Sequence, residues 1–200
     1  MSYGNVIAAV QDLGSQKLGL RECTRGMFSA QINADCALWI GLPGNDYMVT
    51  PMLGIVLPAV NAHMNAALRR AGVARWVDRN PRCYRPISTH AFEHLLERTG
   101  RDVPPVWRAG QEISVEAAKI IAEELIGLAP DYINMYGQQS LAIAGAERDM
   151  RFGPAQKLLL PAAHMMTGNA AAFERYLKDL PASERGAEYD RYLEQLDTGG

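Results

Sequence analysis

"DCALWIGLPGNDYMVTPMLGIVL", Asp35 to Leu57, is the stretch whose reading decides the fold. Within it, "DCALWIGL", Asp35 to Leu42, is short, apolar and aromatic, the pattern of a buried strand. Pro43, Gly44, Asn45 and Asp46 follow, residue types that tolerate tight backbone geometry and mark a turn. Tyr47 to Leu57 then resumes with β-branched, aromatic and aliphatic residues. Pro51 has no N–H to give to a ladder, so it is expected at an edge, a strand start or a bulge. Two strands across Pro43–Asp46 make an antiparallel hairpin.

Working outward, "LRECTRGMFSAQI" (Leu20 to Ile32) has mixed alternation with Gly26 inside, which predicts one bent or bulged strand. Before it, Val6, Ile7, Val10 and Leu13 share a face of a short helix over Asn5–Leu13, punctuated by Gly14 and Gly19. On the other side, Pro58 suits the first turn of a helix whose stripe is Val60, Met64, Ala67 and Leu68, with Gly72 as its end signal. Ala74 to Gly110 is broken by Pro81, Pro86, Pro104 and Pro105, and "CYRPIST" and "PPVWRAG" fit short or edge strands.

From Ser114 the pattern turns helical. Ser114 is placed as an N-cap, and Val115, Ala118, Ile121, Ala122 and Leu125 form the apolar face. Helix continues after Pro130. A further helix carries Pro161, another starts at an Asn169 cap with Ala172, Phe173, Tyr176, Leu177 and Leu180 inward, and Ser183 is expected to cap a last charged helix. Strands first and helices later indicate an α+β fold. The expectation is a single domain over 1–200, with a β-rich part at 1–110 and a helical part at 111–197. Its N-terminal half holds an antiparallel sheet of about four or five strands, with the helical C-terminal half packed on it.

Of the 200 residues 48% are apolar and 21% charged, ordinary values for a globular chain with a substantial core. The net charge of -2 gives no general attraction to nucleic acid. Arg69, Arg70, Arg75, Arg79, Arg82 and Arg85 surround Asp78 and fit a solvated basic surface better than a DNA-binding face. Cys23, Cys36 and Cys83, odd in number and widely spaced, fit buried small residues of a reducing compartment. Neither a basic leader nor a ~20-residue apolar run is seen, so no signal peptide or membrane span is expected and the localisation expected is cytoplasmic.

One short motif carries possible chemistry: "HAFEH", His90 to His94. On a helix, His90 and His94 share a face and can bind one zinc, with Glu93 as base on the bound water and Glu174 as a third ligand far downstream. "THAFEHLLERTG" resembles the active-site helix of the pitrilysin-like metalloproteases over about a dozen residues. As a strand, the two histidines stand roughly 13 Å apart and one zinc cannot join them. "RPIST" before His90 favours the strand. Zinc is therefore the alternative cofactor, and none is the expectation. His63 and His164, beside Met64 and Met165, fit capping or packing roles. Trp39 is expected in the core. Trp76 and Trp107, each next to an arginine, are the candidate partner-binding anchors.

A wider layout resembles small uncharacterised bacterial proteins of the toxin-immunity type. Pro51, Gly54, Pro86, Ser88, Thr89, Leu160, Pro161 and Gly168 carry that resemblance. It implies an α+β protein that binds and neutralises a partner toxin, with no catalytic residues. The expected function is thus non-enzymatic protein binding, possible immunity being its sharper form, with no nucleic-acid or membrane partner. The alternative is a zinc-dependent hydrolase using His90, Glu93, His94 and Glu174.

Overall fold

The computed structural model describes residues 2–46, 48–78, 84–98, 100, 113–150 and 153–197. The chain is α+β. Its elements gather into two compact units, Met1–Ile55 with Thr89–Gln138 and Val56–Ser88 with Gln139–Gly200.

The first unit holds a five-stranded antiparallel sheet. β1 (Arg21–Thr24), β2 (Met27–Gln31), β3 (Ala37–Gly41), β6 (Met52–Val56) and β7 (Ser88–Ala91) lie side by side in that order. All five residues of β3 are buried, as a continuous apolar run at the centre of a sheet requires. Trp39 is among them, and its indole lies where a β-carbon on Gly41 would stand. The Leu20–Ile32 stretch makes two strands where the sequence suggested one bent strand. Gly26 adopts φ 74°, a left-handed conformation open to glycine, and turns the chain back so that β1 pairs β2 around a register shift between Glu22 and Thr24.

β3 and β6 are neighbours, but the link between them is more than a tight turn. β4 (Gly44–Asn45) and β5 (Met48–Val49) form a separate two-stranded ribbon, closed by Thr50 N–H donating to the Pro43 carbonyl at 2.9 Å. Pro51 stands just before β6, at a strand start. Its carbonyl accepts from Phe92 N–H at 2.9 Å.

Two long helices pack together in this unit. α1 (Ser2–Leu18) is longer than its Asn5–Leu13 signal and runs straight through Gly14. A side chain at Gly14 would crowd Leu20 and Ile126, so this glycine is a packing device, while Gly19 at φ 66° ends the helix. α4 (Val115–Tyr136) packs along α1. Ser114 Oγ caps it by accepting from Ala117 N–H at 3.1 Å, as expected. It passes Pro130 without stopping.

Loops of the sheet fasten both helices. The Asp46 carboxylate accepts from Tyr3 N–H at 2.9 Å, serving an N-terminal amide of α1 that has no partner within the helix. Tyr3 Oη donates to the Leu42 carbonyl at 2.5 Å, and Ile113 N–H reaches the Asp46 carbonyl at 3.5 Å. At the far end of α4, Asn33 Nδ2 donates to the carbonyl of Gly137 at 2.8 Å. Asn33 Oδ1 meanwhile accepts from Asp35 N–H and Cys36 N–H, each at 2.9 Å.

The second unit is helical: α2 (Pro58–Arg70), α5 (Gln139–Met150), α6 (Gln156–Met166), α7 (Ala170–Asp179) and α8 (Ala187–Asp197). α2 packs against α6 and α8, and Asn169 caps α7 as its sequence suggested. Ser183 does not cap α8; it lies in a separate 3-10 turn, Ala182–Glu184. Pro161 sits inside α6. A proline there leaves the carbonyl four residues back, that of Lys157, without its helical donor. Tyr189 of α8 supplies one, its hydroxyl donating to the Lys157 carbonyl at 2.6 Å. Tyr192 donates to the next carbonyl, Leu158. Burial holds both phenols well above their usual pKa, so both stay protonated donors. Among the described residues no helix is long and apolar enough to cross a membrane.

Two outcomes are expected from urea denaturation. Asp46→Ala lowers stability by about 1 kcal/mol through the lost contact at the α1 N-terminus, while Asp46→Asn, which keeps an acceptor, loses less. Tyr189→Phe costs about 1 kcal/mol in the native background. The same change costs measurably less beside Pro161→Ala, where an N–H returns to the helix; equal losses in both backgrounds would show that Tyr189 does not serve the proline gap.

Candidate functional site

HAFEH is neither the helix nor the strand that the sequence left open. β7 ends at Ala91 and α3 (Phe92–Arg98) begins at the next residue. The β-branched Ile87 and Thr89 favour extension up to that point. Phe92, Leu95 and Leu96 then bury at helical spacing, and the chain follows their period. His90 is thereby carried inside and is 7% exposed. Its Nδ1 pairs with the Tyr132 hydroxyl at 3.1 Å, and its ring stacks on Tyr136 at 4.8 Å. Tyr132 and Tyr136 are one turn apart on α4, and Arg98 Nη1 donates to the Tyr136 hydroxyl at 2.8 Å. Glu93 and His94 are exposed on α3. Glu174 belongs to α7, in the second unit. Among the described residues no three or more His, Cys, Asp or Glu side chains group in a way that could hold a metal ion.

The two tryptophan anchors fare differently. Trp107 lies outside the described residues. Trp76 ends a 3-10 turn, Ala74–Trp76, half-buried, edge-on to Tyr189 at 6.5 Å and under the Arg75 guanidinium at 5.3 Å. Three of the neighbouring arginines make polar contacts. Arg70 Nη2 donates to the Gln195 carbonyl at 2.7 Å, and Arg75 pairs with Glu188. Arg85 Nε donates to Asp78 Oδ1 at 2.6 Å and its Nη2 to the Trp76 carbonyl at 2.7 Å. Arg79, Arg82 and Cys83 fall outside the described residues. Of the other cysteines, Cys36 is buried and Cys23 half-buried; burial and then the nearby Asp35 push the Cys36 thiol up.

The sequence reading missed a pair of asparagines on α2. Asn61 and Asn65 are 0% and 4% exposed, and each mimics a backbone partner. Asn61 accepts from Arg85 N–H at 3.1 Å and donates to the Arg85 carbonyl at 3.0 Å. Asn65 accepts from Asp78 N–H at 2.8 Å and donates to Asp78 Oδ2 at 3.2 Å. The signal was available: two amides four apart on the apolar stripe of a helix cannot bury unpaired. This cluster is structural, since both amides are spent on the segments flanking residues 79–83.

His63, on the same helix, is half-buried, with its Nε2 buried and without a hydrogen-bond partner among the described residues. Burial first, then Arg70, lowers its pKa, with the Leu196 backbone opposing. His164 on α6 is 2% exposed, its Nε2 3.1 Å from Glu147 Oε1 at the wall of a cleft of about 330 Å³.

The first unit carries a different kind of concavity. A trough of about 340 Å³ runs between α1 and α4. Asn5, Ala8, Ala9, Asp12, Leu13 and Gln16 line one wall, and Val115, Lys119, Ala122 and Glu123 the other. The α1 residues follow one another at spacings of three, one, three, one and three, a single helix face. Val115 is 59% exposed, a large apolar side chain left in water.

No family model, curated protein or solved structure matches the chain.

His63 makes the second unit acid-sensitive. Its pKa is lower folded than unfolded, so its contribution is complete above the unfolded value of about 6.5 and is lost as pH falls from there toward the folded one. Urea midpoints between pH 7.5 and pH 5 are expected to fall less steeply for His63→Gln than for the native chain; parallel slopes would remove His63 as the cause.

Proposed function

We propose that this chain is a non-enzymatic protein-binding protein that docks its partner on the α1/α4 trough, and that neutralising a bacterial toxin is its biological role. The observation that carries the binding reading is the trough's composition. Alanines, Leu13 and Val115 line it with apolar groups, and Asn5, Asp12, Gln16, Lys119 and Glu123 add polar groups of both charges. Apolar surface combined with polar groups is what specific protein interfaces use. Val115 and the exposed Ala8 are in place before a partner arrives, so no rearrangement of the fold is needed to present them. The layout built on Pro51, Gly54, Pro86, Ser88, Thr89, Leu160, Pro161 and Gly168 supports the immunity form of the reading.

The test is co-expression with the product of the adjacent gene. A stable complex is expected on size exclusion, with an interface of about 800 Å² a side, together with rescue of growth when that product is toxic. Ala8→Arg, at an exposed helical position where the fold tolerates it, is expected to weaken the complex at least tenfold. Failure to bind any product of its own locus would sink the proposal.

A further inference from the structure

We infer that the occupant of the α1/α4 trough is an amphipathic α-helix of the partner, with large apolar residues along one face and lysine or arginine beside it. This rests on the binding reading and names what binds there. The first ground is backbone accounting. Both walls are flanks of helices, and beyond their first turns the N–H and C=O groups there are bonded along the helix axes. An extended segment laid there would bury its own backbone groups with nothing to meet them. A helix arrives with its backbone satisfied and buries only side chains.

The second ground is shape. The α1 wall spans Asn5 to Gln16, about 16 Å at the helical rise. That length accommodates about three turns of an incoming helix, seated as a third helix against a packed pair. The floor is small: Ala8, Ala9 and Ala122 leave room for leucine-sized side chains from the partner, and Leu13 and Val115 give them apolar contact.

The third ground is charge. Asp12 and Glu123 stand on opposite walls, against one cation, Lys119. A helix flanked by lysine or arginine finds a carboxylate on either side, whereas one flanked by glutamate meets two like charges.

The probes are three labelled synthetic peptides measured against the full chain by fluorescence anisotropy. One has a leucine seam flanked by lysines and is stapled as a helix. The second replaces the lysines by glutamates. The third is the first with a central proline and no staple. At low salt the lysine helix is expected to bind about tenfold tighter than the glutamate helix, and at least tenfold tighter than the proline-broken peptide. Ala8→Arg should weaken the lysine helix about tenfold, and Asp12→Asn with Glu123→Gln should narrow the gap between the two helices. No binding of the lysine helix, equal binding of the proline-broken peptide, or indifference to Ala8→Arg would each overturn the inference. A complex with the locus product that Ala8→Arg weakens, beside such a result, would leave the binding reading standing and remove only the helix.

Discussion

The first unit depends on α4 being held to the sheet from both ends. A helix leaves N–H groups unpaired at its start and carbonyls unpaired at its finish. Here loops of the sheet grip the chain at both ends of α4. Asn33, in the turn between β2 and β3, meets the Gly137 carbonyl at the C-terminal end. Asp46, in the β4–β5 ribbon, receives Ile113 N–H at the N-terminal end and fastens the start of α1 through Tyr3 N–H. The two helices are thus registered against one sheet, and the trough between them has fixed walls. Gly14 lets Leu20 and Ile126 close the packing beneath.

The second unit solves the same polar problem with side chains of helices. Asn61 and Asn65 bond the backbone at Arg85 and Asp78, and Gln156 Nε2 donates to the Ile87 carbonyl at 2.9 Å. Tyr189 fills the gap that Pro161 opens in α6. Some arginines serve here as latches. Arg70 and Arg191 donate to the Gln195 and Ala71 carbonyls, joining α2 to α8 in both directions.

The histidine motif shows how a short match misleads. Zinc chemistry needs side chains that converge on one point. A strand-to-helix junction inside the motif sends His90 into an aromatic nest of Tyr132 and Tyr136 while Glu93 and His94 remain on the surface. The trough, which has no motif at all, draws its character from two helices that are about a hundred residues apart in the chain.

Local signals were legible without the structure: a buried strand within Asp35–Leu42, Pro51 at a strand start, Pro58 opening α2, the caps Ser114 and Asn169, and the α+β class that follows from strands preceding helices. Each rests on a few neighbouring residues whose backbone preferences agree. Other features required the tertiary structure. Gly14 and Pro161 look like breakers, and they are tolerated because Leu20, Ile126 and Tyr189 use the space or the bond they leave. Gly26 became a hairpin turn because β1 has β2 to pair with. The assignment of α4 to the sheet's unit, and of α5 to α8 to the unit of α2, depends on which apolar faces bury against each other, and hydrophobic burial carries no direction in sequence. The trough belongs to that second class: each wall is an ordinary helix face, and only their meeting makes a site.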